Sequence, residues 1–164
     1  MEIENIKNSE WKNQNIEKKG TNQMYDIVYN SKFSNDNNYI IKAEFGEFNK
    51  ENPDIMLLTN VNGKIFFKDS SIIEINSKKA NYNSIDYNTN FYQNVFITYN
   101  DHQINSDNFD LFFDIKLGTI YNNIIYKNLN TILRADKIDI DLITKDSKIY
   151  MLDQSETVKL KHSN

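Results

Sequence analysis

From Met24 onward apolar and polar residues alternate over short stretches, and clusters of Asn, Asp, Ser and Gly interrupt the alternation. A period of two is the mark of strands with one buried face, and the interruptions mark turns. The pattern predicts strands near 24–30, 38–48, 54–61, 64–68, 71–83, 90–99, 102–113, 117–121, 123–128, 130–142, 147–152 and 156–160. Turns are expected at Asn35-Asp36-Asn37-Asn38, Asn62-Gly63, Lys68-Asp69-Ser70, Asn100-Asp101, Asn122-Asn123 and Lys145-Asp146. Asn-Gly between apolar runs is the clearest of these signals, because both residues accept the positive φ of a tight hairpin. Pro53 opens a strand, where its missing N–H removes no ladder bond. Residues 1–22 read differently: they are polar, with sparse Ile3, Ile6, Trp11 and Ile16. A flexible lead ending at Gly20 is expected there, a short amphipathic helix at Ile3 and Ile6 being the alternative. A single domain over 23–161 follows.

Within the alternation lies a repeat. Four segments share one form: Ile41-x-Ala43-x-x-Gly46-x-Phe48, Ile75-x-Ser77-x-x-Ala80-x-Tyr82, Ile104-x-Ser106-x-x-Phe109-x-Leu111 and Leu133-x-Ala135-x-x-Ile138-x-Ile140. Each alternates, reaches a small residue, spends two further positions and resumes on the opposite parity. A parity slip turns every later side chain to the other face unless the strand bends or absorbs a bulge. A bend keeps both halves facing one interior, and a small side chain fits its inner side. A second spacing, of 34 residues, relates Thr59-Asn60-Val61, Gln93-Asn94-Val95 and Lys127-Asn128-Leu129. The chain therefore reads as a stack of bent hairpins forming one curved sheet or pair of sheets.

Composition supports an all-β, antiparallel fold. Asn and Ile each exceed a tenth of the 164 residues, with 10 Tyr and 10 Phe, whereas Ala occurs only at 43, 80 and 135. Ile, Tyr and Phe favour strands, and the best helix former is nearly missing. With no cysteine, neither disulfides nor thiolate metal sites are available. Two histidines (His102 and His162) and one arginine (Arg134) leave little for zinc hydrolysis, histidine triads or arginine fingers. A net charge of -4 is the wrong sign for a nucleic-acid surface. No run reaches the roughly 18 apolar residues of a membrane helix.

In the repeats, one parity carries Ile41, Phe48, Ile75, Tyr82, Ile104, Phe109, Leu111, Leu133, Ile138 and Ile140. The other carries Lys42, Glu44, Glu74, Asn76, Gln103, Asn105, Asp110, Arg134, Asp139 and Asp141, as expected for a sheet with one solvated face. Taken alone, the apolar set reads as a closed sandwich core ahead of a groove, and periodicity does not separate the two. Candidate chemistry is thin. Asp101-His102 falls in a hairpin turn, where Asp is at home. Asp136, Asp139, Asp141 and Asp146 match neither a calcium loop nor a paired-carboxylate site, so no catalytic, metal or cofactor site is expected.

The bent segments Tyr39-Ile40-Ile41-Lys42-Ala43-Glu44, Ile73 to Tyr82, Asn94 to Ile97, Ile104 to Phe109 and Leu133 to Ile140 resemble the OstA-type β-jellyroll of lipopolysaccharide transport. With the opening Met24-Tyr25-Asp26-Ile27-Val28-Tyr29 and the single-domain length, the chain is similar over about 24–160 to the LptC family. The resemblance implies an open-ended bent β-jellyroll that is no enzyme. It implies that the apolar parity lines an interior holding the acyl chains of lipopolysaccharide. It further implies a role passing that lipid from an inner-membrane ABC transporter to a periplasmic bridge. The N-terminal edge strand (Tyr25, Ile27, Tyr29) would meet the transporter. The C-terminal edge (Ile149, Met151, Val158, Leu160) would meet the LptA-like bridge, at the periplasmic face of the inner membrane. The family's N-terminal membrane helix has no counterpart in this sequence, which keeps an LptA-like bridge role open. A β-sandwich that binds a partner or a glycan is the other alternative, and it would lay aromatics flat on an outer face.

Overall fold

The computed structural model describes residues 23–151 and the backbone of 160–162; the expected lead over 1–22 and the edge residue Val158 lie outside the described residues. The fold is all-β and antiparallel, a ten-stranded open sheet of β-jellyroll type. Eight strands follow one another as a meander: β1 (Gln23–Ser34), β2 (Asn37–Phe48), β3 (Ile55–Phe66), β4 (Ile72–Asn83), β5 (Thr89–Tyr99), β6 (His102–Phe112), β7 (Leu117–Asn128) and β8 (Thr131–Asp141). Two short strands continue the sheet beyond β8: β9 (Ser147–Tyr150) pairs along 137–140, and β10 (Leu160–His162) along 131–133. No described residue is helical.

Every long strand turns a corner near its middle. In β2, β4, β6 and β8 the buried positions run to Ala43, Ser77, Ser106 and Ala135 and resume at Gly46, Ala80, Phe109 and Ile138, as the sequence repeat anticipates. The small side chains occupy the inside of the bend. Two of them also satisfy it, Ser77 Oγ donating to the Lys79 carbonyl at 2.8 Å and Ser106 Oγ to the Asn108 carbonyl at 3.1 Å. The odd strands bend by another device. Asp26 and Asn60 in β1 and β3, and the pairs Gln93-Asn94 and Asn122-Asn123 in β5 and β7, adopt φ between 52° and 65°. Asn and Asp tolerate that left-handed conformation better than most residues, because a short polar side chain can hydrogen-bond locally. The ladders of β5 and β7 shift register at their pairs, as a bulge requires.

Neighbouring corners align through the register, so the sheet folds over itself into two leaves. The first leaf holds the later halves of β1, β3, β5 and β7 with the earlier halves of the even strands; the second holds the remainder. Contacts between distant strands close the sandwich. Tyr29 stacks on Tyr82 with ring centroids 4.4 Å apart, and Tyr39 Oη donates to Thr89 Oγ1 at 3.1 Å.

Four expectations are corrected. Asn62 and Gly63 form no turn: they lie inside β3, Gly63 opposite Ile41 on one side and Ile75 on the other. Glycine is needed there for a close approach, since a Cβ would lie 3.0 Å from Phe91 Cζ and 3.5 Å from Tyr39 Cε2. Asn122-Asn123 is the corner of β7, not a turn, so 117–121 and 123–128 are one strand, as are 54–61 and 64–68. The 34-residue spacing finds the corners at Asn60 and Asn94, but Asn128 ends β7 and the true corner precedes it. Pro53 sits in the turn two residues before β3 rather than opening the strand.

Candidate functional site: a cavity at the C-terminal end

Ten sequence-predicted lining residues fall into two groups. Ile41, Ile75, Tyr82, Phe109 and Leu111 are fully enclosed in the packed core, and Phe48 is half-buried against it. The other four, Ile104, Leu133, Ile138 and Ile140, border a cavity of about 360 Å³ between the leaves. That volume lies at the lower end of small-ligand sites, which run from roughly 300 to 1,000 Å³.

The walls follow from strand parity. Leu133 and Ile138 flank the Ala135 corner of β8, so one strand supplies wall to both leaves. Ile73 and Ile97 extend the first leaf along β4 and β5, while Ile149 of β9 extends the second. Ile73 and Ile97 were legible in principle, because each shares the inward parity of a neighbour already in the repeat. Ile149 was expected as an edge residue, and it is both: β9 is the outermost strand of its leaf, and Ile149 is 43% exposed while bordering the cavity. Met151 follows half-buried against the core. At the other edge β1 presents its backbone, with Ile27 and Tyr29 turned inward and Tyr25 outward.

Polar groups gather where the cavity meets the turns. Tyr99, His102 and Tyr126 lie in a row, with centroids 6.1 and 5.7 Å apart, and His102 Nδ1 is 2.6 Å from Tyr126 Oη. The recorded partner of His102 is therefore Tyr126 rather than its neighbour Asp101. Lys145, from the loop between β8 and β9, reaches the turn between β3 and β4. Its Nζ donates to Asp69 Oδ2 at 2.5 Å and to Ser71 Oγ at 2.9 Å. The bond to Asp69 raises the Lys145 pKa, and the same bond holds the Asp69 carboxyl well below the usual carboxylate range. Asp139, expected on the solvated face, accepts from Thr119 Oγ1 at 2.9 Å and pairs with Lys137 at 3.1 Å. Among the described residues no group of three or more His, Asp or Glu is placed to hold a metal ion. No helix there is long and apolar enough to cross a membrane.

What this arrangement can do is shelter an apolar chain. Isoleucine and leucine side chains line the depth, and at the rim His102 meets Tyr126 while Lys145 meets Asp69 and Ser71. No protein-family model matches the chain, and no characterised protein matches it in sequence.

Proposed function

We propose that the chain is a lipid carrier that shelters an acyl chain between its leaves. By its resemblance to the LptC family, the lipid is lipopolysaccharide on its way from an inner-membrane transporter to a periplasmic bridge. The observation that carries the reading is the isoleucine-lined cavity bordered by Ile104, Leu133, Ile138 and Ile140. Burying methylene groups there is favourable by about 0.8 kcal/mol each. A cavity of about 360 Å³ suits one acyl chain rather than the several that a fully open trough would admit.

The open edges fit the same reading. Among the described residues no further strand pairs with the outer side of β1 or with those of β9 and β10, which makes them templates for strand addition by a partner. The transporter would meet β1 near Tyr25, and the bridge would meet the other end near Ile149 and Leu160. The glycan-binding alternative draws less support, because the exposed aromatics among the described residues, Tyr25 and Tyr150, lie at opposite edges and make no platform. No catalytic step is assigned.

A photo-reactive residue in place of Leu133 or Ile138 tests the proposal. With lipopolysaccharide present, the folded protein should give lipid adducts at these positions and none at Tyr92 on the outer face. Adducts at Tyr92 alone, or none anywhere, would overturn the carrier reading.

A further inference from the structure

The only side chain that crosses from the second leaf to the first over the cavity's rim by a recorded ion pair, among the described residues, is that of Lys145. The loop beneath it is preformed. Asp141 Oδ1 accepts from the amides of Ile143 and Thr144 at 2.8 and 3.0 Å, and the Lys145 amide donates to the Asp141 carbonyl at 2.7 Å. Leu142 is fully buried and its amide donates to the Lys116 carbonyl at 2.9 Å, which anchors the loop in the core. Lys145 itself has φ 66°, the conformation that turns its side chain out of the loop and across the rim. From there its stem borders the cavity, its ammonium stands 4.5 Å from the Phe67 ring centroid and 5.7 Å from that of Tyr99, and its bonds end at Asp69 and Ser71. A rigid base thus carries a long, single-residue arm whose far end is held by an ion pair. Asp69 is largely solvent-exposed, so solvent and salt reach the point of attachment.

We propose that the Lys145 side chain is a retractable latch over the mouth of the cavity, fastened at Asp69 and Ser71 and swung aside to admit an apolar guest. Its role as a gate for a ligand rests on the carrier reading above; its role as a barrier does not. The fastening has the lifetime of a partly exposed ion pair, so the cavity opens without unfolding of either leaf. Loosening the attachment should speed entry while leaving the packed core untouched.

The chain has no cysteine, so a single introduced thiol reports access to one place. N-ethylmaleimide labelling is compared at Ile138→Cys in the cavity, Ile75→Cys in the packed core and Ile85→Cys on the surface. Asp69→Asn should speed labelling at position 138 by about two- to fivefold, the range for losing one exposed ion pair. Lys145→Ala should speed it more, Lys145→Arg should restore it, and positions 75 and 85 should keep their rates. Raising salt from low to high should speed labelling at 138 only while Lys145 and Asp69 are both present. Unchanged rates at 138 in both Asp69→Asn and Lys145→Ala would overturn the latch. Equal acceleration at 75 and 138 would also overturn it, because the change would then be global opening. Binding of the neutral probe N-phenyl-1-naphthylamine is measured in parallel. Failure of wild type and Lys145→Ala alike to bind it counts against the carrier reading, while the labelling still decides the latch.

Discussion

In one region of the sandwich aromatic rings cross between the leaves, whereas around the cavity the leaves face each other mainly through isoleucine and leucine. Phe33 stands edge-on to Phe113 at 5.2 Å, Tyr29 stacks on Tyr82, and Tyr39 lies tilted against Phe113 at 6.0 Å. Even the hydroxyls are enclosed: burial drives the pKa of Tyr39 and of Tyr82 far above the ordinary tyrosine value. Elsewhere Ile73, Ile97, Ile104 and Leu133 of the first leaf face Ile138, Ile140 and Ile149 of the second across the cavity. Both regions are built from the same corner and the same ladder, with facing sheets about 10 Å apart. A ring spans that distance and a branched aliphatic chain falls short of it. Aliphatic side chains such as Ile41, Leu58, Ile65 and Ile75 are fully buried among those rings, so rings and aliphatic chains close the core together.

Truncation is the harshest way to probe this contrast. Phe109→Ala should cost about 3–5 kcal/mol in urea unfolding, and Ile104→Ala about 2 kcal/mol, because Ile104 already lacks partners on its cavity side. Equal losses would mean that the cavity is as well packed as the core. Added volume comes next. Gly118→Ala places a methyl 2.6 Å from Phe109 Cε2, and Gly63→Val collides with Phe91, so each should destabilise by about 1–3 kcal/mol. At the hollow end the sign should reverse. Leu133→Phe should stabilise by about 0.5–2 kcal/mol and exclude the naphthylamine probe, whereas Ile75→Phe, in the filled region, should destabilise.

The smallest effect is pH-dependent and belongs to the rim. The Asp69 carboxyl titrates below its ordinary 3.8, so what its bonds contribute is present above that pH and is lost as pH falls below it. Lys145 titrates above its ordinary 10.5, so its share is present below that value and fades at higher pH. Melting temperature against pH should therefore fall less steeply in acid for Asp69→Asn than for wild type. Superimposable acid limbs would show that the pair adds nothing to stability.

The corners of the even strands were legible because a parity slip and a small residue coincide, as at Ser77 and Ser106. The odd strands showed theirs only in part, through the 34-residue spacing that falls on Asn60 and Asn94. There the bend is made by backbone conformation at Asn60, Gln93-Asn94 and Asn122-Asn123, and the residues that favour left-handed φ inside a strand are those that favour it in a turn. Gly63 misled for a related reason: glycine marks both a tight turn and a place where rings press on the backbone, and only the facing leaf decides between them. The direction in which Ile104, Leu133, Ile138 and Ile140 point was readable from parity. Whether the space before them is filled was not, because that depends on which residues of the opposite leaf the twist of the sheet brings across.

The meander has a further consequence for how such a molecule can change length. Among the described residues each of β1 to β7 is hydrogen-bonded only to its neighbours in sequence, and every hairpin brings one corner of each kind. A duplicated hairpin inserted in the row would find both neighbours already in register and would lengthen both leaves by the same step, much as a unit is added to a solenoid. The capacity of the interior is then a matter of how many hairpins the gene encodes, and of which one first trades its rings for aliphatic side chains.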